Sequence, residues 1–79
     1  MNESPKEYKT FLEEQLQWCR ERDRILEQIN EKLHEMKRIV EYTLEYEPTS
    51  IEIDELNDQL NKLKHVVHSL EKQLQSVIH

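Results

Sequence analysis

Glycine is absent from this 79-residue sequence, and cysteine and proline are scarce, with one and two copies. Tight β-turns and phosphate-binding loops depend on glycine, so the sequence argues against turn-rich β folds and nucleotide-binding motifs. Cys19 has no second cysteine in the chain to pair with, which excludes an intramolecular disulfide and favours a reducing compartment. No segment approaches the roughly 18 apolar residues that a membrane span requires. The first residues lack the features of a secretory signal. We therefore expect a soluble, cytoplasmic protein with no membrane partner.

Basic residues are missing from the middle of the chain. The whole sequence has 11 Lys and Arg against 17 Asp and Glu, a net charge of −6. Between positions 39 and 61 there is no Lys or Arg, and the acidic residues there are Glu41, Glu45, Glu47, Glu52, Asp54, Glu55 and Asp58. A negative surface disfavours nucleic acids and anionic membranes, so neither is expected as a partner.

The apolar pattern predicts a first long helix, from about residue 5 to residue 46. Ser4 and Glu7 can form a capping box around Pro5. Pro48 ends the helix because its ring clashes with the preceding turn and it lacks an N–H. Two rows of apolar residues at heptad spacing lie one residue apart, the first with Leu12, Cys19, Leu26, Leu33 and Val40, the second with Phe11, Trp18, Ile25 and Ile39. A stripe this wide faces more than one neighbouring helix.

The second helix is predicted over about residues 50–78, after a hinge at 47–50. Thr49 can act as its N-cap with Glu52 as partner, and Ser50 is the alternative cap. Its apolar residues alternate in steps of three and four, which is the spacing of a coiled-coil seam. The seam consists of Ile53, Leu56, Leu60, Leu63, Val67, Leu70, Leu74 and Val77, with Val66 and Ile78 on its flanks.

These signals predict an all-α fold, an antiparallel two-helix hairpin that homodimerises into a four-helix bundle, with residues 1–79 as one domain. The short hinge favours antiparallel neighbours. Three- or four-chain assemblies, an obligate heteromer and a bent helix in a parallel coiled coil remain alternatives. The residues expected to mediate self-association are the second-helix seam together with Leu12, Cys19, Leu26, Ile29, Leu33 and Val40.

Two further surfaces are candidates for binding a partner protein. The first helix is longer than the second, so about a dozen residues overhang and leave apolar side chains uncovered. The hinge end is acidic, and its glutamates at the end of the first helix oppose the helix dipole, which suggests a role outside the fold. The alternative is that these acids only keep the hinge soluble. The expected partner-binding residues are Tyr8, Phe11 and Trp18 at the overhang, and Glu41, Tyr42, Glu45, Tyr46 and Glu47 at the hinge.

Residues that could carry chemistry are few. His65 and His68 lie three apart, with Glu71 nearby, but both histidines fall on outer heptad positions, so we expect no metal site and no cofactor. Cys19 falls within the apolar stripe and is interpreted as a packed side chain. Arg22 occupies a position where the stripe should be apolar. Either it sets register or oligomeric state, or the stripe is narrower there.

The sequence therefore predicts a non-enzymatic protein–protein interaction module, a small adaptor or regulator that self-associates and occupies a partner's surface. Two alternatives stay open. One is a structural or assembly component whose apolar stripe is itself the interface with a different chain. The other is a chaperone-like hairpin that shields a helix of a client protein.

Overall fold

The computed structural model describes residues 4–78, except for the side chain at position 78. Two α-helices make up this part of the chain, α1 (Pro5–Tyr46) and α2 (Ser50–Ile78). They pack against each other and form the helical hairpin that the sequence predicts. The helices run antiparallel, because Trp18 of α1 contacts the last turns of α2 and Leu44 lies beside Ile53. The result is a rod of 69 × 18 × 12 Å.

Both helices begin with the capping boxes that the sequence predicts. The Ser4 hydroxyl accepts a hydrogen bond from the Glu7 backbone N–H at 3.2 Å, and the Glu7 carboxylate accepts one from the Ser4 N–H at 3.4 Å. Thr49 and Glu52 repeat this arrangement at the start of α2, at 3.2 Å in each direction. Each N-cap stabilises its helix by about 1 kcal/mol.

The chain reverses at Glu47 and Pro48. Glu47 caps the C-terminus of α1 in the left-handed region, with φ 44° and ψ 64°. A β-carbon there comes too close to the following carbonyl oxygen, at a cost of roughly 1–2 kcal/mol. Glycine usually holds this position, and the chain has none. The hinge therefore stores local strain.

The seam between the helices contains few buried side chains. Among the described residues these are Ile25, which is 1% exposed, and Val67 and Leu70. On α2, the predicted seam residues from Leu56 to Val77 are buried or half-buried, whereas Ile53, the first residue of the predicted seam, is 39% exposed. On α1 the buried and half-buried positions that alternate in steps of four and three are Trp18, Arg22, Ile25, Ile29, Lys32, Met36, Ile39 and Thr43. Two long basic side chains thus belong to the α1 side of the seam.

Candidate protein-interaction site

A second apolar row on α1 lies to one side of the contact with α2. We call it the outer row, and its members are Tyr8, Leu12, Cys19, Leu26, Leu33, Val40 and Leu44. Cys19 is half-buried, and the other six are between 44% and 78% exposed. Because one residue corresponds to about 100° of helix rotation, the outer row lies to one side of the seam row that contains Trp18, Ile25 and Ile39. Ile25 is 1% exposed and its neighbour Leu26 is 44% exposed.

The outer row continues into a groove near the hinge. This tip groove, with a volume of about 130 Å³, is lined by Val40, Thr43 and Leu44 of α1 and by Ile53, Leu56, Asn57 and Leu60 of α2. Leu44 is 78% exposed, the highest value among the large apolar side chains of residues 4–78. The tip groove therefore joins the outer row to α2 and offers one continuous apolar surface.

Trp18 marks the point where α2 ends. Its indole Nε1–H donates a hydrogen bond to the Val77 carbonyl, one of the last carbonyls of α2. Because α2 ends there, residues 5–17 extend beyond it as an overhang about 20 Å long. Tyr8, Phe11 and Leu12 of this overhang are each about half exposed, as the helix lengths predict. Trp18 differs from the other overhang candidates, since its side chain is part-buried within the hairpin.

Arg22 packs over Trp18 one turn further along α1. Its guanidinium carbon lies 5.3 Å from the centre of the indole ring, a cation–π arrangement. One guanidinium nitrogen pairs with Asp23 at 3.3 Å, whereas Nε is buried and has no hydrogen-bond partner among the described residues. Arg22 thus belongs to the seam, where the indole ring of Trp18 stabilises its guanidinium group.

The hinge end carries the tyrosines and acids that the sequence singles out. The rings of Tyr42 and Tyr46 lie 4.9 Å apart, tilted by 32°, and both are exposed. Glu41, Glu45 and Glu47 are exposed as well. Within residues 4–78 the ion pairs lie elsewhere, and none includes an acid of the hinge. Exposed glutamates that form none of these ion pairs therefore lie next to the two tyrosines in the sequence.

A wider groove also reaches Tyr42. It has a volume of about 690 Å³ and an apolar floor of Ile39, Leu56 and Leu63. Its rim has mixed charge, from Glu35, Arg38, Glu52, Glu55 and Lys62. The groove is open to solvent along its length and does not enclose a cavity.

The charged side chains that shift each other's pKa lie on an exposed part of α1. Arg24 donates a hydrogen bond to the Glu21 carboxylate at 2.6 Å and lowers the pKa of that carboxyl, against a smaller opposing effect of burial. The same hydrogen bond raises the pKa of Arg24. This pair stabilises its own charges on a solvated helix face.

His65 and His68 line a shallow polar depression with Glu71 and Lys72. Over residues 4–78, no three histidine, cysteine or acidic side chains are grouped so that they could hold a metal ion. In the same range, neither helix is long and apolar enough to cross a membrane.

Comparisons with protein-family models, curated proteins and solved structures gave no match to this chain. Its function must therefore be inferred from its own surfaces.

Proposed function

We propose that this chain is a non-enzymatic interaction module that associates with a second copy through the outer row and binds a different protein through its acidic hinge. The observation that carries the proposal is the outer row itself, which leaves apolar side chains uncovered along almost the whole of α1. Soluble proteins rarely expose so long an apolar surface unless another molecule covers it.

The surface area of the hairpin supports self-association. Its accessible surface is 6651 Å² for a mass of 9.7 kDa. A compact monomer of this mass would expose about 5,100 Å², so the hairpin exposes roughly 1,500 Å² more. A standard interface covers about 800 Å² on each partner. A second hairpin on the outer row and tip groove would fit within that excess and bring four helices together.

The hinge is the surface proposed for a different protein. Its acids have no basic counterpart between positions 39 and 61, and Tyr42 and Tyr46 provide exposed aromatic area among them. Aromatic side chains are enriched at interfaces, and charge complementarity selects partners and accelerates encounter. The expected partner surface is therefore basic. A basic protein surface would meet the acids, and an apolar side chain would enter the wider groove beside Tyr42.

Light scattering across a hundredfold dilution, with circular dichroism on the same samples, tests the self-association. We expect a helical particle of twice the 9.7 kDa chain mass. A helical monomer at all concentrations would refute the proposal. A poorly helical monomer would instead support the alternative in which the outer row is covered by a different chain, as in a structural component or a client-binding hairpin.

Two matched variants make this test specific to the outer row. Leu33 and Val66 are similarly exposed, at 49% and 41%, but only Leu33 belongs to the outer row. Leu33→Glu should give a monomer, because it would bury a carboxylate in the dimer interface. Val66→Glu should leave the dimer intact. Equal effects of the two variants would exclude the outer row as the interface.

The hinge is tested separately by affinity capture with the wild type and with Glu41, Glu45 and Glu47 changed together to Gln. A partner bound through the hinge should be lost with the triple variant and with rising salt, since exposed charges are screened. A partner captured equally by both baits would exclude these glutamates as the site.

A further inference from the structure

The outer row has a symmetry that bears on how two copies meet. Its members are spaced equally on either side of Leu26. Cys19 and Leu33 lie seven residues away, Leu12 and Val40 fourteen, and Tyr8 and Leu44 eighteen. A row that reads the same in both directions matches itself when a second copy of the helix runs antiparallel. A two-fold interface requires such self-complementarity.

We infer that the dimer is antiparallel, with α1 packed on α1 of the second copy about a two-fold axis at Leu26. This inference rests on the self-association proposed above and specifies its geometry. Leu26 would contact Leu26 of the second copy, and Cys19 would contact its Leu33. Leu12 would lie on Val40, and Tyr8 on Leu44. Every outer-row side chain then meets an apolar partner, and Leu44 is covered.

The same arrangement explains the unequal helix lengths. The overhang, residues 5–17, would lie level with residues 35–47 of the second copy. These residues include Val40, Thr43 and Leu44, the α1 side of the tip groove. Each overhang therefore fills the tip groove of the other hairpin. The dimer has four helices at its centre and three at each end, and the aromatic overhang is used by self-association.

Charge also favours the antiparallel arrangement. Lys9 would lie level with position 43 of the second copy, about 3 Å along the axis from both Glu41 and Glu45. Lys9 is highly exposed, and its contact with Glu13 within its own chain is long, at 3.9 Å. Lys9 can thus pair with one of these two glutamates, and the other glutamate and Glu47 remain available to the partner proposed for the hinge. A parallel pairing of α1 with α1 would instead place the hinge glutamates of both copies together, which is repulsive.

Disulfide trapping tests the geometry. In a Cys19→Ala background, Leu26→Cys places the new thiols on the two-fold axis. Leu12→Cys in the same background keeps its two thiols about 42 Å apart along the dimer. A disulfide needs Cα atoms within about 7 Å, so we expect Leu26→Cys to form a covalent dimer on oxidation. Leu12→Cys alone should not, but a mixture of Leu12→Cys with Val40→Cys should.

The outcomes separate this inference from the proposed function. Light scattering on the reduced samples reports whether a dimer exists, and non-reducing electrophoresis reports its geometry. A dimer that is trapped at position 26 and in the 12–40 mixture supports the inference. A dimer in which Leu12→Cys traps by itself, or in which position 26 does not trap, overturns the antiparallel geometry and leaves self-association standing. A monomer overturns both.

Discussion

The most direct test of the hairpin compares two adjacent residues, Ile25 and Leu26, by changing each to alanine. Both are apolar, both lie in the middle of α1, and the sequence places them in neighbouring heptad rows. The structure separates them, because Ile25 is 1% exposed in the seam and Leu26 is 44% exposed in the outer row. The two substitutions therefore probe two different interfaces.

The expected losses follow from burial. Ile25→Ala removes a fully buried side chain and leaves a cavity, so it should lower the free energy of unfolding by about 3 kcal/mol. Leu26→Ala removes a side chain that is only about half buried in the hairpin, so it should cost about 1 kcal/mol when the protein is monomeric. If the outer row is a dimer interface, the cost of Leu26→Ala should increase with protein concentration.

Urea unfolding followed by circular dichroism, at a low and a high protein concentration, measures both quantities. The midpoint should fall without a change in the denaturant slope, since the surface exposed on unfolding is nearly unchanged. If Leu26→Ala costs as much as Ile25→Ala at the low concentration, α1 presents a different face to α2 and the reasoning is wrong.

Three further predictions concern the hinge, the end of α2 and the seam. Glu47→Gly should raise the free energy of unfolding by about 0.5–1 kcal/mol by relieving the left-handed strain. Glu47→Ala removes the same unfavourable charge but keeps a β-carbon, so it should raise the free energy of unfolding less, and a loss with glycine would contradict the hinge geometry. Trp18→Phe should lower the free energy of unfolding in urea by about 1 kcal/mol, because the hydrogen bond to α2 is lost. An unchanged free energy of unfolding would show that this hydrogen bond does not stabilise the hairpin. Changing Leu63 and Leu70 together to Asn should abolish cooperative melting while Val66→Asn preserves it, and an intact melt would remove both leucines from the core.

The helix ends could be predicted from the sequence because their causes are local. Ser4 and Glu7 are three residues apart, as are Thr49 and Glu52, and each pair satisfies backbone N–H groups within its own first turn. Pro48 likewise acts on the turn that precedes it. Such features depend on neighbours in the sequence and not on the partner helix.

The face of α1 that packs on α2 is harder to predict from the sequence than the helix ends. The row of Leu12, Leu26 and Leu33 is complete at heptad spacing, and it is the more conspicuous of the two. The seam row is interrupted by Arg22 and Lys32, yet both positions are half-buried in the structure. Long basic side chains can bury their aliphatic stems and keep their charges in water. From the sequence alone, such residues are therefore expected to be fully exposed.

The sequence nevertheless contains a pattern that distinguishes the two α1 rows. Apolar residues of the seam row occupy both kinds of position in an alternating seam, since Ile25 and Ile29 are four residues apart and Met36 and Ile39 are three apart. Most of the outer row instead supplies one apolar residue per heptad. A coiled-coil seam needs apolar residues at both positions, so this pattern favours the row of Ile25 as the one that packs on α2.

The two α1 rows differ in their polar residues, because the seam row contains basic side chains and the outer row does not. The seam that closes the hairpin includes Arg22 and Lys32, and the buried apolar side chains in residues 4–78 are Ile25, Val67 and Leu70. The outer row is apolar at every member, although α2 leaves it uncovered. A hairpin that was selected to be stable by itself would have the opposite arrangement, because burial of apolar surface is the main source of stability. The self-association proposed above would cover these apolar side chains and let them contribute to the stability of the fold.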